Sequence, residues 1–139
     1  MANILTVARA PLAAFAAMGV VWGTFAAALP DIKAMLAVDE AQLGLLLLFT
    51  PLAAVTAMLL APAFGARMGR MALPLATVIM GLGIALPGQT ASVVLFPLFM
   101  MVCGAGTGLT DVLMNARVAE MENTRKIHLM NLCHSAYSF

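Results

Sequence analysis

An acid and an amide interrupt one of the most apolar stretches of this sequence. The stretch "GAGTGLTDVLMNAR" runs from Gly104 to Arg117, and Asp111 is the only acidic residue well inside an apolar block. If the block crosses a membrane, a charge at its centre costs at least about 2.5 to 3.5 kcal/mol, so such residues usually face a protein interior and serve a function. Asp111 is therefore the first candidate for a functional side chain.

Helical spacing places further polar and small residues on the same side as Asp111. Gly104, Thr107 or Gly108, Asp111 and Asn115 follow one another at intervals of three or four residues, which is one face of an α-helix. A carboxyl in a poorly hydrated cavity can bind and release a proton, and an amide can donate to it or accept from it. The stripe predicts a proton-coupling group beside a path for a polar solute. The alternative is a purely structural pairing of Asp111 with a basic residue on another helix.

A second polar group lies in "NLCHSAYSF". Asn131, His134 or Ser135, and Ser138 again share helical spacing. A histidine titrates near physiological pH, so His134 could exchange protons with Asp111 if their helices are neighbours. The alternative is a hydrogen-bonded histidine at a helix interface.

Trp22 is the only tryptophan, and it lies in the middle of the first apolar block. It lines a substrate cavity or packs in the core, and the sequence alone does not separate the two. Cys103 and Cys133 lie in apolar surroundings and are expected to be buried, inert thiols. Cys133, His134 and His128 complete no ligand set of zinc-like spacing, so no metal or other cofactor is expected. No phosphate-binding loop, nucleophile–base pair or basic patch is present, which argues against an enzyme and against a nucleic-acid partner.

Composition indicates that these residues are held by helices in a lipid bilayer. The chain is 63% hydrophobic and 9% charged, with a mean hydropathy of +1.03. A bilayer core of about 30 Å needs about 20 apolar residues in a helix. The sequence offers such blocks at about 11–29, 43–64, 71–90 and 92–118, and a further apolar stretch at 129–139. We expect an all-α polytopic membrane bundle of four transmembrane helices and the start of a fifth, as a fragment of a longer protein.

Basic residues in the short connectors predict the orientation. With a cytoplasmic N-terminus, Lys33 is the only basic residue on the outer side, and the others collect on the inner side. Those inner residues are Arg9, Arg67, Arg70, Arg117, Arg125 and Lys126. The sequence therefore predicts a multi-pass protein of a bacterial-type cytoplasmic (inner) membrane with its N-terminus in the cytoplasm.

Glycines at four-residue spacing occur in two blocks, Gly19 with Gly23 and Gly104 with Gly108. This spacing lets two helix backbones approach closely. One explanation of the glycine spacing is simple helix packing. The other is that closely packed helices with smooth surfaces slide or rock during a transport cycle.

The connector "ARMGRM" resembles the signature loop of the major facilitator superfamily, an acid-Arg-x-Gly-Arg-basic turn between the second and third helices. Arg67, Gly69 and Arg70 match, while Ala66 and Met71 replace the acid and the final basic residue. The arginines alone would also serve as topology anchors.

Four longer stretches extend this resemblance over the whole chain: "WGTFAAALPDIKAML", "QLGLLLLFTPLAA", "GAGTGLTDVLMNARVAEME" and "HLMNLCHSAYSF". They are similar to the branch with fucose-permease-like and related bacterial inner-membrane transporters, with Asp111, Asn115, His134 and Ser138 at matching positions. The resemblance implies a twelve-helix fold of two halves, with the solute bound between them and access alternating by rocking. Residues 1–139 would then be part of the N-terminal transmembrane half, completed by C-terminal helices that this chain lacks.

The chain is thus expected to be part of a secondary active transporter that moves a small polar, sugar-like solute, with proton coupling through Asp111. One alternative is a small oligomeric four-helix exporter, although that class resembles chains with an acid in the first helix, and none precedes Asp31 here. Another is a non-transporting membrane assembly or accessory protein in which the polar stripe is only an interhelical seam.

Overall fold

Helices account for nearly all of the backbone in the computed structural model, which describes residues 4–138 and has no strand in that range. The α-helices are α1 (Ile4–Leu36), α2 (Glu40–Leu47), α3 (Phe49–Met68), α4 (Ala72–Ala85), α5 (Leu95–Arg125) and α6 (Met130–Tyr137). Short 3₁₀ turns at Gly69–Met71 and Pro87–Gln89 follow α3 and α4. Residue 139, the last of the expected fifth segment, lies outside the described range.

Within residues 4–138, three helical segments are long and apolar enough to cross a membrane, and they fit a membrane protein. They are Thr6–Leu36, Glu40–Gln89 and Leu95–Arg125. The middle segment has 50 residues, more than twice the roughly 20 that a bilayer core needs. It contains both the second and the third expected spans, and the division into four spans stays a prediction.

Helix ends differ from the expected boundaries in several places. Two helices cover the expected span at 43–64, since α2 ends at Leu47 and α3 starts at Phe49. Pro51 has no amide hydrogen, so the helical bond to the Leu47 carbonyl cannot form, and the regular ladder is lost there. The Asp39 side chain and Gln42 form a capping box that starts α2 before its apolar block begins.

The first and the last of the long helices in the sequence extend beyond their apolar blocks. The first was expected at 11–29 but runs over Ile4–Leu36, until Ala37 turns into the left-handed region at φ 53°. α5 continues past the block 92–118 to Arg125, where Lys126 adopts φ 53°. Helices end where a cap or a left-handed residue stops them, and hydrophobicity does not set that point.

α5 is the central helix, and α3 packs along one side of it. A Cβ added at Gly104 would lie 3.1 Å from the Thr50 Cα, and one added at Gly108 would lie 3.0 Å from the Ala54 Cα. Both contacts join backbone to backbone. From the first contact to the second, the residue number rises in both helices, so α3 and α5 run parallel.

α4 packs on another side of α5 in the opposite direction. A Cβ at Gly106 would lie 2.5 Å from the Met80 Cα, and one at Gly83 would lie 2.7 Å from the Cys103 Cα. From the first contact to the second, the residue number rises in α5 and falls in α4, so these two helices are antiparallel. The segment Glu40–Gln89 therefore folds back on itself, and the reversal lies at Gly69, whose φ is 53°.

α6 packs mainly on α1. The Phe15 and His134 rings meet edge to face, with centroids 4.6 Å apart and planes at 62°. One turn further on, the backbone of Tyr137 approaches Gly19, where a Cβ would be 3.3 Å from its Cα. The main core cluster joins α1, α5 and α6 through residues that include Phe15, Met18, Met114, Val118, Leu129 and Cys133.

Candidate functional site

Asp111 and Asn115 form a hydrogen-bonded pair on consecutive turns of α5. The Asn115 amide nitrogen donates to the Asp111 carboxylate Oδ1 at 3.1 Å and to the Asp111 carbonyl oxygen at 2.9 Å. Both side chains are half-buried. The pair is thus an acid held by a neighbouring amide inside a long apolar helix, and the carboxyl keeps acceptor capacity for a further partner.

The small residues of the predicted stripe lie against protein. Gly104 and Gly108 are buried against the backbone of α3. Thr107, on the same face, is half-buried. The stripe therefore passes from a tight backbone contact to the half-buried polar pair within two turns.

The polar residues of α6 lie apart from this pair. Asn131, His134, Ser135 and Ser138 are exposed. The His134 ring rests on Phe15 of α1, and within residues 4–138 no hydrogen bond or ion pair joins His134 to Asp111. Proton exchange between the two stays a prediction.

Trp22 lies in the wall of a cavity of about 330 Å³. This cavity, here called the Trp22 cavity, lies among α1, α2, α3 and α5 and is lined by Trp22, Phe25, Leu47, Thr50, Pro51, Ala54 and Met100. Trp22 and Phe25 pack edge to face, with ring centroids 5.8 Å apart and planes at 83°. Neither Asp111 nor Asn115 lines it.

Sequence reasoning missed Thr50 as a candidate. Thr50 is 7% exposed, and its hydroxyl is buried without a hydrogen-bond partner in the described part of the chain. It is the only lining residue of the Trp22 cavity with a polar side chain other than the Trp22 indole. The signal available in the sequence was the dipeptide Thr50-Pro51, because a proline inside an apolar block marks a break in the backbone ladder.

A second cavity, of about 420 Å³, lies at the polar end of α5 and is lined by Ala119, Glu122, Asn123, Lys126, Ile127 and His128. The Glu122 carboxylate Oε1 accepts from the backbone N–H groups of Met130 at 2.8 Å and Leu129 at 2.5 Å. Glu122 follows the apolar block 92–118, outside the expected membrane span. The amides of Met130 and Leu129 lower the pKa of the Glu122 carboxyl from its ordinary value of 4.5. Glu122 thereby fixes the start of α6, a role that sequence reasoning also missed.

The loop residues Arg67, Gly69 and Arg70 lie at the reversal between α3 and α4. All three are exposed, and within residues 4–138 neither arginine makes a salt bridge. Gly69 has the positive φ that favours glycine. Of the other glycine pair, Gly19 meets the α6 backbone, whereas a Cβ at Gly23 would meet nothing within 4 Å.

No group of three or more metal-ligating side chains occurs within the part of the chain that the structure describes. Comparison with protein-family models, curated proteins and solved structures finds no match. A proposal for the function of this chain therefore depends on its own residues.

Proposed function

We propose that the chain forms part of a secondary active transporter that moves a small polar, sugar-like solute across a bacterial-type inner membrane by alternating access, with Asp111 as the proton-carrying group. The observation that carries the proposal is the Asp111–Asn115 pair, half-buried in a long apolar helix. An ionisable residue at such a position is expensive to place, and in membrane proteins it usually marks a pathway or a proton relay.

The packing around α5 supports the same proposal. Backbone contacts at Gly104 and Gly108 hold α5 against α3, so the first part of the stripe is fixed while the polar pair one turn later stays partly accessible. The exposed polar residues of α6 add a second hydrophilic face in a chain that is otherwise 63% hydrophobic. We infer that the two faces border a solute path, completed by further helices of the transporter.

The resemblance to the major facilitator superfamily agrees with this proposal. The reversal at Gly69, with α3 and α4 antiparallel, is the geometry that a signature loop between two neighbouring spans requires. In that family the solute binds between two helical halves, so the proposed partners of this chain are the C-terminal helices, the solute and protons.

The test uses vesicles that contain the product of the complete coding sequence. Asp111→Asn is expected to abolish solute-driven proton movement and to leave membrane insertion intact, because an amide cannot carry the proton. Asp111→Glu keeps a titratable group and should retain part of the coupling. Proton movement at the unmodified level in Asp111→Asn would reject Asp111 as the carrier.

A membrane assembly or accessory protein is the second candidate. The observation in its favour is that the two described cavities contain neither Asp111 nor Asn115. In that case the polar stripe of α5 is only a seam against a neighbouring helix, with interhelical contacts worth about 0.6 kcal/mol each. A stop codon directly after residue 139, together with stable oligomers in detergent and no solute flux, would favour this candidate.

A further inference from the structure

The packing of the helices gathers most of the basic residues at one end of the bundle. α3 runs parallel to α5 and α4 runs antiparallel to it, so the end of α3, the start of α4 and the end of α5 lie together. Phe15 of α1 meets His134, and one turn further along α1, Gly19 meets a later residue of α6. The start of α1 therefore lies beside the start of α6, which directly follows α5. This end, here called the basic end, carries Arg9, Arg67, Arg70, Arg117, Arg125 and Lys126 and two acids, Glu120 and Glu122.

The opposite end of the bundle has an excess of acids. It carries Asp31, Asp39, Glu40 and a single cation, Lys33, which pairs with Glu40. Ile32 and Leu36 of α1 pack in one core cluster with Phe96, near the start of α5, so this end lies away from the basic end. The charge along the bundle is therefore asymmetric, and a negatively charged membrane surface complements the basic end.

Arg67 and Arg70 are cations of the basic end that have no acidic partner. They are the only charged side chains in residues 41–110. Both are exposed, and neither makes a salt bridge within the part of the chain that the structure describes. Arg117, by contrast, donates to the Glu120 carboxylate at 2.6 Å. The reversal between α3 and α4 thus presents two positive charges that the described acidic side chains leave unpaired.

Exposed apolar side chains lie beside these two arginines. Met68 is 41% exposed and Met71 is 57% exposed. They follow Arg67 and Arg70 directly in the sequence, and Gly69, with its φ of 53°, turns the backbone between them. No other cation of the basic end has an exposed large apolar residue directly beside it. A membrane interface suits this combination, because it offers charged headgroups and, just below them, acyl chains.

Arginine has the geometry to hold a phosphate group. Its guanidinium is always charged and presents N–H donors in a planar fork that matches two phosphate oxygens. We propose that the segment Arg67–Met71, here called the Gly69 turn, binds the phosphate of an anionic phospholipid through its two arginines. Met68 and Met71 pack against the upper part of the acyl chains. The excess of cations around the turn selects an anionic lipid over a zwitterionic one. The proposal goes beyond the transport function, because it depends on neither member of the proton-coupling pair.

A fluorophore at the turn itself reports this contact. Ala66 is exposed, whereas the native Cys103 and Cys133 are buried, so a bimane label attaches selectively to Ala66→Cys. The whole labelled chain is placed in phosphatidylcholine vesicles that contain phosphatidylglycerol with a quenching nitroxide near its headgroup. We expect stronger quenching than nitroxide-labelled phosphatidylcholine gives at the same fraction, and we expect excess unlabelled phosphatidylglycerol to relieve it. Both leaflets have the same composition, so the orientation of the chain does not affect the result.

Two variants and a matched control locate the site. In the labelled chain, Arg67→Gln and Arg70→Gln should each lower the preference for phosphatidylglycerol over phosphatidylcholine about 5-fold, the usual effect of one basic residue near an anionic surface. Arg117→Gln removes the same charge from the same end, but Arg117 is already paired with Glu120, so the preference should stay nearly unchanged. All three arginines are exposed, and the substitutions leave the core intact.

Three results would overturn the proposal. Equal quenching by the two nitroxide lipids in the chain with both arginines would show that the turn has no preference for an anionic lipid. Equal losses in Arg117→Gln and in the two turn variants would show a general attraction to the basic end and no site at the turn. Relief of the quenching by inorganic phosphate, at constant ionic strength, would identify a soluble phosphate as the ligand instead of a lipid.

Discussion

The Asn115 amide donates to two oxygen atoms of Asp111, the carboxylate Oδ1 at 3.1 Å and the backbone carbonyl at 2.9 Å. The two residues are four apart on α5, so the helix itself sets their separation. The amide fixes one carboxylate oxygen, and the half-buried carboxyl retains capacity for a proton or a further donor. Asp111 and Asn115 therefore act together as one polar unit, and a change at Asn115 should affect Asp111.

Replacing Asn115 with leucine should impair the proposed proton coupling although Asp111 remains. A hydrogen bond to a charged group is worth about 1.5 to 3 kcal/mol, so its loss should lower coupled proton movement about tenfold or more. Solute-driven proton movement in vesicles measures this effect. Asn123→Leu, at an exposed position near the end of the same helix, is the matched control. Equal losses in both variants would show a general defect of α5 and would contradict the specific role of Asn115.

Gly106→Ala should destabilise the bundle. The new Cβ would lie 2.5 Å from the Met80 Cα and 2.9 Å from the Ile79 carbonyl carbon, and backbone atoms cannot move aside as a side chain can. Overpacking of this kind costs about 1 to 3 kcal/mol. Gly81→Ala, where a Cβ would meet nothing within 4 Å, should be neutral or stabilising by up to about 1 kcal/mol. Unfolding by titration of a denaturing detergent compares the two, and equal stability would refute the close approach of α4 and α5.

Acid should weaken the attachment of α6 to α5, because it protonates the Glu122 carboxylate that accepts hydrogen bonds from the start of α6. The pKa of Glu122 in the folded protein is lowered from 4.5 by the amides of Met130 and Leu129. Its contribution is therefore complete above about pH 4.5 and is lost as the pH falls through the lower folded value. Hydrogen exchange of the Leu129 and Met130 amides, corrected for the intrinsic rate, should show protection that declines over this range.

Glu122→Gln should reduce that protection at neutral pH and remove its pH dependence, because the amide side chain does not titrate there. Glu120→Gln is the control, since Glu120 makes an exposed ion pair with Arg117 and such pairs contribute little. If Glu122→Gln keeps the pH dependence of the unmodified chain, another group caps α6.

Cysteine labelling tests the predicted orientation. In intact cells a membrane-impermeant maleimide should label Lys33→Cys, and it should label Arg70→Cys only after the cells are made permeable. The native Cys103 and Cys133 are buried, so the unmodified chain provides the unlabelled background. The reverse pattern would place the N-terminus outside.

Helical class and the approximate positions of the long apolar helices were predictable, because a run of apolar residues carries this information locally. The stop at Leu36 and the restart at Glu40 were not, since they depend on the left-handed Ala37 and the capping box at Asp39. A local hydrogen bond such as that between Asn115 and Asp111 follows from helical spacing. The Trp22 cavity does not, because Trp22, Thr50 and Met100 come from three helices that are far apart in the sequence and meet only in the folded chain.

The close backbone contacts on two sides of α5 have a mechanical consequence. Gly104 and Gly108 join α5 to α3, and Gly106 joins it to α4; backbone atoms in contact leave little freedom for sliding. The helices α3, α4 and α5 should therefore move as one rigid block. α1 meets this block chiefly through flexible side chains such as Met18 and Met114, which can change rotamer at low cost. If the bundle changes shape, the boundary between α1 and the block is the surface along which shear should occur.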